Sequence, residues 1–400
     1  MTKIIFIVCD GLGDRPIPEF KSKTPLEAAK TPNLDFLAKN GITGTLNTTW
    51  HDKKPESDTA HLLLFGYDLN RYYTGRGPFE VAGLDMKTQP GDICFRTNVA
   101  TIDENLKIID RRAGRINNTA EFAKLFNNSV NNKVKFLLKK GTAYRLGLIM
   151  RGKKLSANIT QNDPKKVGVK VLKVKAQDNK PETKFTADVL NSFLKIAHEK
   201  LKNLPSNKKR VKQGKFPANY FLVRGAGIYP KIPSFEKKYG LKAVCIAGAG
   251  LYKGIGKILG MFTPGVQGAT GLPDSNLKAK VKKVFSLYKN YGFFFVHFKA
   301  ADSLGEDGNF KDKKRFIEKI DRAIKPFLSL KKAILVITSD HSTPCELKTH
   351  STDPIPILIY NKKIKADKVN KFSEKECANG KLGHFKASLL IPKILSFFNT

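Results

Sequence analysis

The sequence lacks the features on which extracellular and membrane proteins depend. Its five cysteines are scattered, odd in number and never spaced as Cys-x-x-Cys, which argues against a disulfide framework and suits a reducing cytoplasm. No apolar run approaches the ~18 residues of a membrane span, and candidates such as 292–298 are only strand-sized. The first residues lead directly into a predicted strand, so we expect no secretory signal. We therefore expect a cytoplasmic protein without a membrane partner.

Acidic residues are also scarce, because 35 Asp and Glu stand against 72 Lys and Arg and leave a formal net charge of +37. Such an excess is compatible with nucleic-acid binding. However, the lysines are dispersed, only 208–212 forms a dense basic run, and no zinc-finger, RNP-type or basic leucine-zipper pattern accompanies it. We therefore favour a solvated lysine-rich surface without a specific nucleic-acid partner. Its field would steer a small anionic substrate.

Apolar runs at both ends of the chain predict a mostly parallel sheet. Residues 4–9 form a continuous β-branched run, and 292–298, 333–338 and 355–360 are similar; such runs are typical of strands buried on both faces. The apolar stripe over 316–324 predicts a helix between two of them. This alternation indicates an α/β fold with helices on both faces of the sheet.

The middle of the chain follows a different pattern. Turn residues at 103–105 and at 139–143 predict two β-hairpins. The other predicted elements of this region are a helix over 188–196 and short strands over 220–223 and 243–247. The predicted organisation is a discontinuous outer domain, 1–85 plus 275–400, and a smaller inserted α+β domain, 86–274.

Carboxylates and imidazoles follow the predicted strands at the point where each ends. Asp10 follows the first strand, Asp302 the second, and Asp340 and His341 the third, with His350 nine residues further on. Because parallel strands place such positions at one edge of the sheet, these groups suit two adjacent divalent ions of a phosphoryl-transfer enzyme. Each Asp alone is also typical of a cap or turn.

Ser57 precedes an apolar helical turn and has two interpretations. It is either an ordinary serine at a helix start or a hydroxyl that faces a metal and acts as an activated nucleophile, with the helix end stabilising phosphate oxygens.

Arginines are concentrated in turns of the inserted region. The segment 110–115 places three of them beside a carboxylate, and Arg96, Arg145 and Arg224 add more. Since guanidinium groups bind carboxylate and phosphate bidentately, they indicate a small anionic substrate; a surface salt-bridge network is the alternative. Residues 247–250 hint at a dinucleotide turn but lack its third glycine, so we expect no organic cofactor.

Taken together, these segments resemble the archaeal-type 2,3-bisphosphoglycerate-independent phosphoglycerate mutases of the alkaline phosphatase superfamily. The resemblance runs almost end to end and is most distinctive in 7–16, 24–35, 57–61, 75–80, 110–115 and 339–344. It implies an alkaline-phosphatase-like core with an inserted substrate domain. It also implies interconversion of 3-phosphoglycerate and 2-phosphoglycerate through a phosphoserine, in glycolysis and gluconeogenesis.

The resemblance further implies residue roles. Ser57 would be the nucleophile, Asp110 the base and Arg111 the arginine that grips the substrate. The residues implied for one metal ion are Asp10, Ser57, Asp340 and His341, and those for the other are Asp302, His350 and the position of Glu306. The residues we expect to bind substrate are His61, Arg111, Arg112, Arg115, Arg145 and Arg224.

Two positions depart from the family pattern. Glu306 stands where the family has a histidine ligand, and Tyr144 stands where it tends to have a histidine before Arg145. A carboxylate makes the site harder, so we expect Glu306 to be a ligand and the two ions to be Mn²⁺ or Mg²⁺ rather than Zn²⁺ or Co²⁺.

Other activities fit parts of the pattern. Another metal-dependent phosphatase, phosphodiesterase or phosphomutase of the same superfamily would share the metal residues, and a basic nucleic-acid-binding protein would share only the charge. A homo-oligomer is compatible with the sequence.

Overall fold

The computed structural model describes residues 2–397, which fall into two compact units. One unit comprises Met1–Tyr73 and Ile232–Thr400, and the other comprises Thr74–Lys231. In chain order, the first part of the first unit contains β1 (Lys3–Cys9), α1 (Pro25–Ala28), α2 (Pro32–Lys39), β2 (Ile42–Asn47), α3 (Ser57–Leu64) and α4 (Leu69–Tyr72).

The second unit contains α5 (Gly77–Gly83), β3 (Ile93–Ile102), β4 (Ile108–Asp110), α6 (Ala120–Phe126), β5 (Ser129–Asn131), β6 (Val134–Lys140), β7 (Arg145–Arg151), α7 (Pro181–Lys202), α8 (Pro205–Lys212) and β8 (Tyr220–Ile228). The chain then returns to the first unit with α9 (Phe235–Tyr239), β9 (Ala243–Ile246), α10 (Gly250–Ile258), α11 (Leu277–Leu287), β10 (Phe293–Phe298), α12 (Ala300–Glu306), α13 (Phe310–Ile324), β11 (Ala333–Thr338), β12 (Ile355–Tyr360), α14 (Glu374–Cys377), β13 (Gly383–Lys386) and α15 (Leu390–Ser396).

The first unit is built on a mixed, mostly parallel sheet. In residues 2–397 its strand order is β13-β2-β12-β11-β1-β10-β9. β1 pairs in parallel with both β10 and β11, and these strands are buried almost throughout. The alternating side chains of β1 meet helices on both faces, since Ile5 and Ile7 share a core with α2, α11 and α13 while Phe6 packs on Phe65. The α/β class expected from the sequence is confirmed.

The second unit is an antiparallel sheet covered by helices. Its strand order is β4-β3-β7-β6-β5, and β8 pairs with β3. Both predicted hairpins are present, as β3–β4 and β6–β7. On one face, Phe193 of α7 stacks on Phe136 of β6 with ring centroids 3.9 Å apart. None of the helices in the described part of the chain combines the length and apolar content needed to cross a membrane.

The units and several elements differ from the sequence-based expectations. The unit boundaries lie at 73/74 and 231/232 rather than at 85/86 and 274/275. Residues 232–274 belong to the first unit because β9 within them pairs with β10. β12 runs antiparallel to β11, whereas the sequence predicts a mostly parallel sheet. β2 and the edge strand β13 are not predicted, because neither contains an apolar run. α7 extends well beyond 188–196 because amphipathic spacing continues at both ends.

Candidate active site

Three neighbouring parallel strands deliver polar residues to one edge of the first unit's sheet. Asp10 directly follows β1, Asp302 lies in the first turn of α12 after β10, and Asp340 and His341 follow β11. All four side chains are buried. Strand direction therefore gathers residues that lie some 330 positions apart in sequence.

The first cluster consists of Asp10, Asp340 and His341, whose ligand atoms all lie within 4.8 Å of one another. His341 Nε2 is 3.3 Å from Asp340 Oδ2 and 3.7 Å from Asp10 Oδ1. Burial, together with the neighbouring Asp10 carboxylate, raises the pKa of Asp340 well above its usual range. Two carboxylates placed so close together favour a bound cation.

The second cluster consists of Asp302, His341 and His350. His350 Nε2 is 3.3 Å from Asp302 Oδ1, and its ring stacks on that of His341 with centroids 3.6 Å apart. His350 Nδ1 donates to Pro55 O at 2.8 Å, which orients the ring. Although burial opposes it, the Asp302 carboxylate raises the pKa of His350 to about 9. His341 is shared by both clusters.

Ser57 lies beside the first cluster, at the first residue of α3. Glu56 is the N-cap of this helix, so Ser57 is not the capping residue. Its Oγ is 3.4 Å from His341 Nε2, and the residue is buried. The hydroxyl therefore lies at a helix N-terminus, which favours anionic oxygens, and beside the carboxylate and imidazole groups of the first cluster.

Lys299 links the two clusters. Its ammonium group is 3.3 Å from Asp10 Oδ1 and also contacts Asp302 Oδ2. Although burial alone would raise it, the Lys299 charge holds the pKa of the Asp302 carboxyl well below its usual range. Lys299 thus supplies positive charge at the centre of an acidic site.

The donor set fits divalent metal ions. Among the described residues, the buried Asp340 Oδ2 accepts no hydrogen bond, and leaving such an oxygen without a partner is costly. Carboxylate oxygens and imidazole nitrogens at this spacing are ordinary ligands of divalent metals. A cation between these groups would also relieve the repulsion between Asp10 and Asp340.

His61 lies next to Ser57 and to the first cluster. It is fully buried, its Nδ1 donates to Ser57 O at 2.6 Å, and its ring packs against His297. Position 61 follows Ser57 by one helical turn, and His61 Nδ1 lies 3.6 Å from Asp340 Oδ2 of the first cluster. The substrate contact expected of His61 stays a prediction.

Glu306 is placed differently from the other predicted ligands. It is the last residue of α12, one turn after Asp302, and it is exposed. Neither cluster of ligand atoms includes it. The ligand role assigned to Glu306 stays a prediction.

The second unit carries a cluster of guanidinium groups. Arg96 of β3 stands directly opposite Arg224 of β8, and Arg145 of β7 stands opposite Asn98, two residues further along β3. Like charges opposite each other destabilise a sheet. Such a concentration of positive charge is expected where an anion is bound.

A partly buried carboxylate, Glu80, balances part of this charge. Glu80 Oε1 accepts from Arg76 Nε at 2.9 Å and lies 3.7 Å from Arg96 Nε. Burial alone would raise its pKa, but Arg76, Arg96 and Arg145 lower the pKa of Glu80 to about 2. Burial and the neighbouring guanidinium groups lower the pKa of Arg96. An additional anion would stabilise this cluster.

Residues 110–115 form a tight turn beside this sheet. Asp110 Oδ1 accepts from the backbone N–H groups of Arg112 and Gly114 at 2.6 and 3.0 Å. Arg111 binds Asp163 bidentately at 3.1 and 2.8 Å. Arg115 is exposed. The Arg111 fork is thus held in place by a buried carboxylate.

Tyr144 adds an aromatic surface to the cluster. The guanidinium groups of Arg112 and Arg145 lie 5.7 and 5.4 Å from the centroid of its ring, within cation–π range. Burial opposes the effect, but Arg145 and Arg112 lower the pKa of the Tyr144 hydroxyl.

Comparisons with known proteins identify the family. A family model described as the Metalloenzyme superfamily matches residues 2–395. The 2,3-bisphosphoglycerate-independent phosphoglycerate mutase of Methanococcus aeolicus is 45% identical over 99% of this chain and 97% of the relative. The corresponding enzyme 1 of Methanocaldococcus jannaschii is 44% identical over 98% of this chain and 96% of the relative. The chain belongs to the 2,3-bisphosphoglycerate-independent phosphoglycerate mutase family.

Solved structures agree with this assignment. The cofactor-independent phosphoglycerate mutase of Thermoplasma acidophilum has a TM-score of 0.70 and 36% identity, and the match covers 99% of this chain and all of that one. The PH0037 protein of Pyrococcus horikoshii has a TM-score of 0.85 and 35% identity over all of this chain and 97% of that one. Membership of this family and superfamily establishes that the chain uses divalent metal.

Sequence reasoning missed several residues of this phosphoglycerate mutase family site. Lys299 stands three residues before Asp302, a spacing that does not indicate its contacts with the Asp10 and Asp302 carboxylates. His297 lies inside an apolar strand, where it resembles a core residue, but its Nε2 is 3.0 Å from Asp10 Oδ2. Arg76 and Glu80 lie in the distinctive segment 75–80, but their sequence positions do not indicate a role. Asp163 lies in no motif that the sequence analysis identifies.

Proposed function

We propose that this chain is an isomerase that interconverts 3-phosphoglycerate and 2-phosphoglycerate, in glycolysis and gluconeogenesis, through a phosphoserine at Ser57. The observation that carries the proposal is the position of Ser57 Oγ, buried at the start of α3 and 3.4 Å from His341 Nε2. The full-length similarity to phosphoglycerate mutases supports the choice of substrate.

Two divalent ions, Mn²⁺ or Mg²⁺ in preference to Zn²⁺ or Co²⁺, would be held at the two clusters already described, with Ser57 and the predicted ligand Glu306 as additional ligands. The residues proposed for one ion are Asp10, Ser57, Asp340 and His341, and those for the other are Asp302, His350 and Glu306. When bound, such ions neutralise phosphoryl oxygens and lower the pKa of a coordinated hydroxyl.

The protein groups carry out the transfer in two halves. In the first, Ser57 Oγ loses its proton and attacks the phosphorus in line, and the bond between phosphorus and the glycerate oxygen breaks. That oxygen takes up a proton, which gives phosphoserine and glycerate. In the second, the other glycerate hydroxyl loses its proton and attacks the phosphoserine, and Ser57 Oγ leaves and is protonated again. We assign the removal of the glycerate hydroxyl proton to Asp110, because Oδ1 is engaged by two backbone N–H groups and Oδ2 is left to accept a proton.

The guanidinium groups would retain glycerate between the first and the second phosphoryl transfer. Arg111, whose Nε and Nη2 are paired with Asp163, offers its Nη1 side to a carboxylate, and Arg145 and Arg224 offer further guanidinium groups, which bind carboxylates bidentately. We assign Arg112 and Arg115 supporting roles in binding. Retention matters because water that reached phosphoserine would turn a mutase into a phosphatase.

An assay that separates mutase from phosphatase activity tests the proposal. The purified chain is stripped with a chelator, reloaded with one metal at a time and supplied with 3-phosphoglycerate. Enolase-coupled detection of 2-phosphoglycerate is recorded together with free phosphate. We expect 2-phosphoglycerate with little free phosphate, restored best by Mn²⁺ or Mg²⁺. Stoichiometric release of phosphate without 2-phosphoglycerate would favour a phosphatase instead.

A further inference from the structure

Thr343 lies between the two clusters of candidate metal ligands. It follows β11 in the loop that carries Asp340 and His341, and its side chain is fully buried. Its Oγ1 is 2.9 Å from Asp302 Oδ1 and 3.1 Å from His341 Nδ1. One hydroxyl thus contacts a ligand of the second cluster and the ring shared by both.

The single proton of this hydroxyl has only one consistent position. The Thr343 hydroxyl donates to Asp302 Oδ1 at 2.9 Å, because a carboxylate oxygen accepts hydrogen bonds. The hydroxyl oxygen must then accept from His341 Nδ1–H. A neutral imidazole that is protonated at Nδ1 carries its lone pair on Nε2.

The lone pair on Nε2 points toward the remaining ligand atoms. His341 Nε2 is the atom that lies 3.3 Å from Asp340 Oδ2 and 3.4 Å from Ser57 Oγ. Without Thr343 the opposite tautomer would be favoured, because the Asp340 and Asp10 carboxylates could accept a proton carried on Nε2. That proton would occupy the direction in which a cation must approach.

We propose that Thr343 is a positioning residue that fixes the Nδ1–H tautomer of His341 and the orientation of Asp302, so that both metal clusters present lone pairs together. Partners of this kind around metal ligands commonly contribute about 10–100-fold in metal affinity. The inference rests on the ligand sets proposed above.

The surrounding backbone leaves the Thr343 side chain little freedom. Its N–H donates to Gly13 O at 2.9 Å, and its carbonyl accepts from the buried Lys313 Nζ at 2.9 Å. A Cβ at Gly11, which has φ +64°, would lie 2.7 Å from Thr343 Oγ1, and one at Gly305 would lie 2.3 Å from Thr343 O. Close approach of two glycines therefore sets the position of the hydroxyl.

Thr343→Val tests the proposal because it keeps the shape of the side chain and removes the hydroxyl, whereas Thr343→Ser keeps the hydroxyl. Thr338→Val is the matched control, since Thr338 is equally buried but its hydroxyl donates to backbone carbonyls, Pro356 O at 2.9 Å and Ser339 O at 3.5 Å, rather than to a candidate metal ligand. Mn²⁺ binding to the metal-free chains is measured by calorimetry. We expect Thr343→Val to bind about 10–100-fold more weakly, and Thr343→Ser and Thr338→Val to remain close to the unsubstituted chain.

A second readout reports the tautomer directly and does not require turnover. Imidazole ¹⁵N shifts of the metal-free, ¹⁵N-His-labelled chain are recorded above about pH 8, where an ordinary histidine is neutral, with His341 assigned through His341→Asn. We expect Nδ1–H in the unsubstituted chain and a substantial Nε2–H population in Thr343→Val. An Nε2–H tautomer in the unsubstituted chain would overturn the proposal.

Two further outcomes would also contradict it. Equal Mn²⁺ affinity in Thr343→Val and the unsubstituted chain would show that the hydroxyl does not prepare the site. Equal losses in Thr343→Val and Thr338→Val would show a general packing effect. If the unsubstituted chain bound no Mn²⁺, the proposed ligand sets would be wrong, and the nitrogen shifts would still decide the role of Thr343.

Discussion

Single residues of the site differ in how well the sequence reveals them. Asp10, Asp302 and Asp340 each follow an apolar run, so the end of a predicted strand marks them. Thr343 and Lys299 are important because of partners that are distant in sequence. Thr343 contacts Asp302 and Lys299 contacts Asp10, and no spacing rule predicts such contacts. The buried orientation of His61 depends on the direction of α3, which a motif alone cannot specify.

The first prediction concerns the Arg111 fork. Arg111→Lys should damage activity about as much as Arg111→Ala, by roughly 10–100-fold in kcat/KM, because losing a charge-assisted bond costs about 1.5–3 kcal/mol and an ammonium group cannot replace a planar fork. Among the turnovers that remain, the ratio of free phosphate to 2-phosphoglycerate should rise. Both products are measured in the same coupled assay.

Arg151→Lys is a matched control for this experiment. Arg151 binds Asp92 through the same bidentate geometry, at 2.9 and 2.7 Å, and belongs to the same unit. Its substitution should leave the product ratio unchanged. Full activity and an unchanged ratio in Arg111→Lys would place Arg111 outside the site.

The second prediction concerns Glu306. Positions four apart share a helix face, and α12 therefore presents Glu306 on the same side as Asp302. Glu306→Ala should lower metal occupancy, and Glu306→His should shift the preference toward Zn²⁺ or Co²⁺, because imidazole suits those metals better than a carboxylate does. Metal content is measured by mass spectrometry.

Asp307→Ala is measured alongside, since Asp307 is the next residue, is also exposed and is the alternative ligand to Glu306. Occupancy and activity in Glu306→Ala that match those of the unsubstituted chain would show that Glu306 does not touch the metal, and a loss in Asp307→Ala alone would assign the ligand to Asp307.

At the scale of elements, the buried apolar strands were predictable and their partners were not. β1, β10 and β11 are continuous apolar runs, and β11 occupies the predicted residues. β2 (ITGTLN) is polar and glycine-containing because it lies between β12 and β13 rather than at the centre of the sheet. β9 has only four residues, so its pairing with β10 could not be inferred from its own sequence.

One helix stabilises the loops that carry the metal ligands. Lys313 of α13 is fully buried, and its ammonium group donates to Gly13 O, Asp14 Oδ2 and Thr343 O at 3.1, 2.8 and 2.9 Å. These acceptors belong to the loops after β1 and β11. The geometry of the site therefore depends on a buried ion pair whose members are not candidate metal ligands.

The third prediction follows from this contact. Lys313→Met should lower the free energy of unfolding by about 3–5 kcal/mol, because it leaves the buried Asp14 carboxylate without its counter-charge. Urea unfolding followed by circular dichroism measures the loss. Lys314→Met, which removes a partly exposed pair with Glu318 on the same helix, should cost no more than about 1 kcal/mol. Similar losses in both variants would contradict the role given to Lys313.

At the scale of the whole molecule, the dominant property is the net charge of +37. The magnitude of this charge follows directly from the sequence. Because the lysines are dispersed along the chain, we interpret the charge as that of a solvated surface rather than of a groove for nucleic acid. A general positive potential attracts small anions at a rate that falls with ionic strength.

The fourth prediction concerns that potential. Two DNA duplexes of unrelated sequence should bind weakly and equally, and the binding should fall steeply as salt rises, because it depends on counterion release alone. Fluorescence anisotropy across a salt series measures it. Tight, sequence-selective binding at physiological ionic strength would instead assign the charge to nucleic-acid recognition.

The central claim is that Ser57 carries the phosphoryl group between the two positions of glycerate. Its most direct test is peptide mass spectrometry of the metal-loaded chain after acid quenching during turnover of 3-phosphoglycerate. We predict a phosphoryl group on Ser57 in the unsubstituted chain, and neither modification nor turnover in a folded Ser57→Ala chain. Turnover in Ser57→Ala, or turnover of the unsubstituted chain without phosphorylated Ser57, would contradict the account.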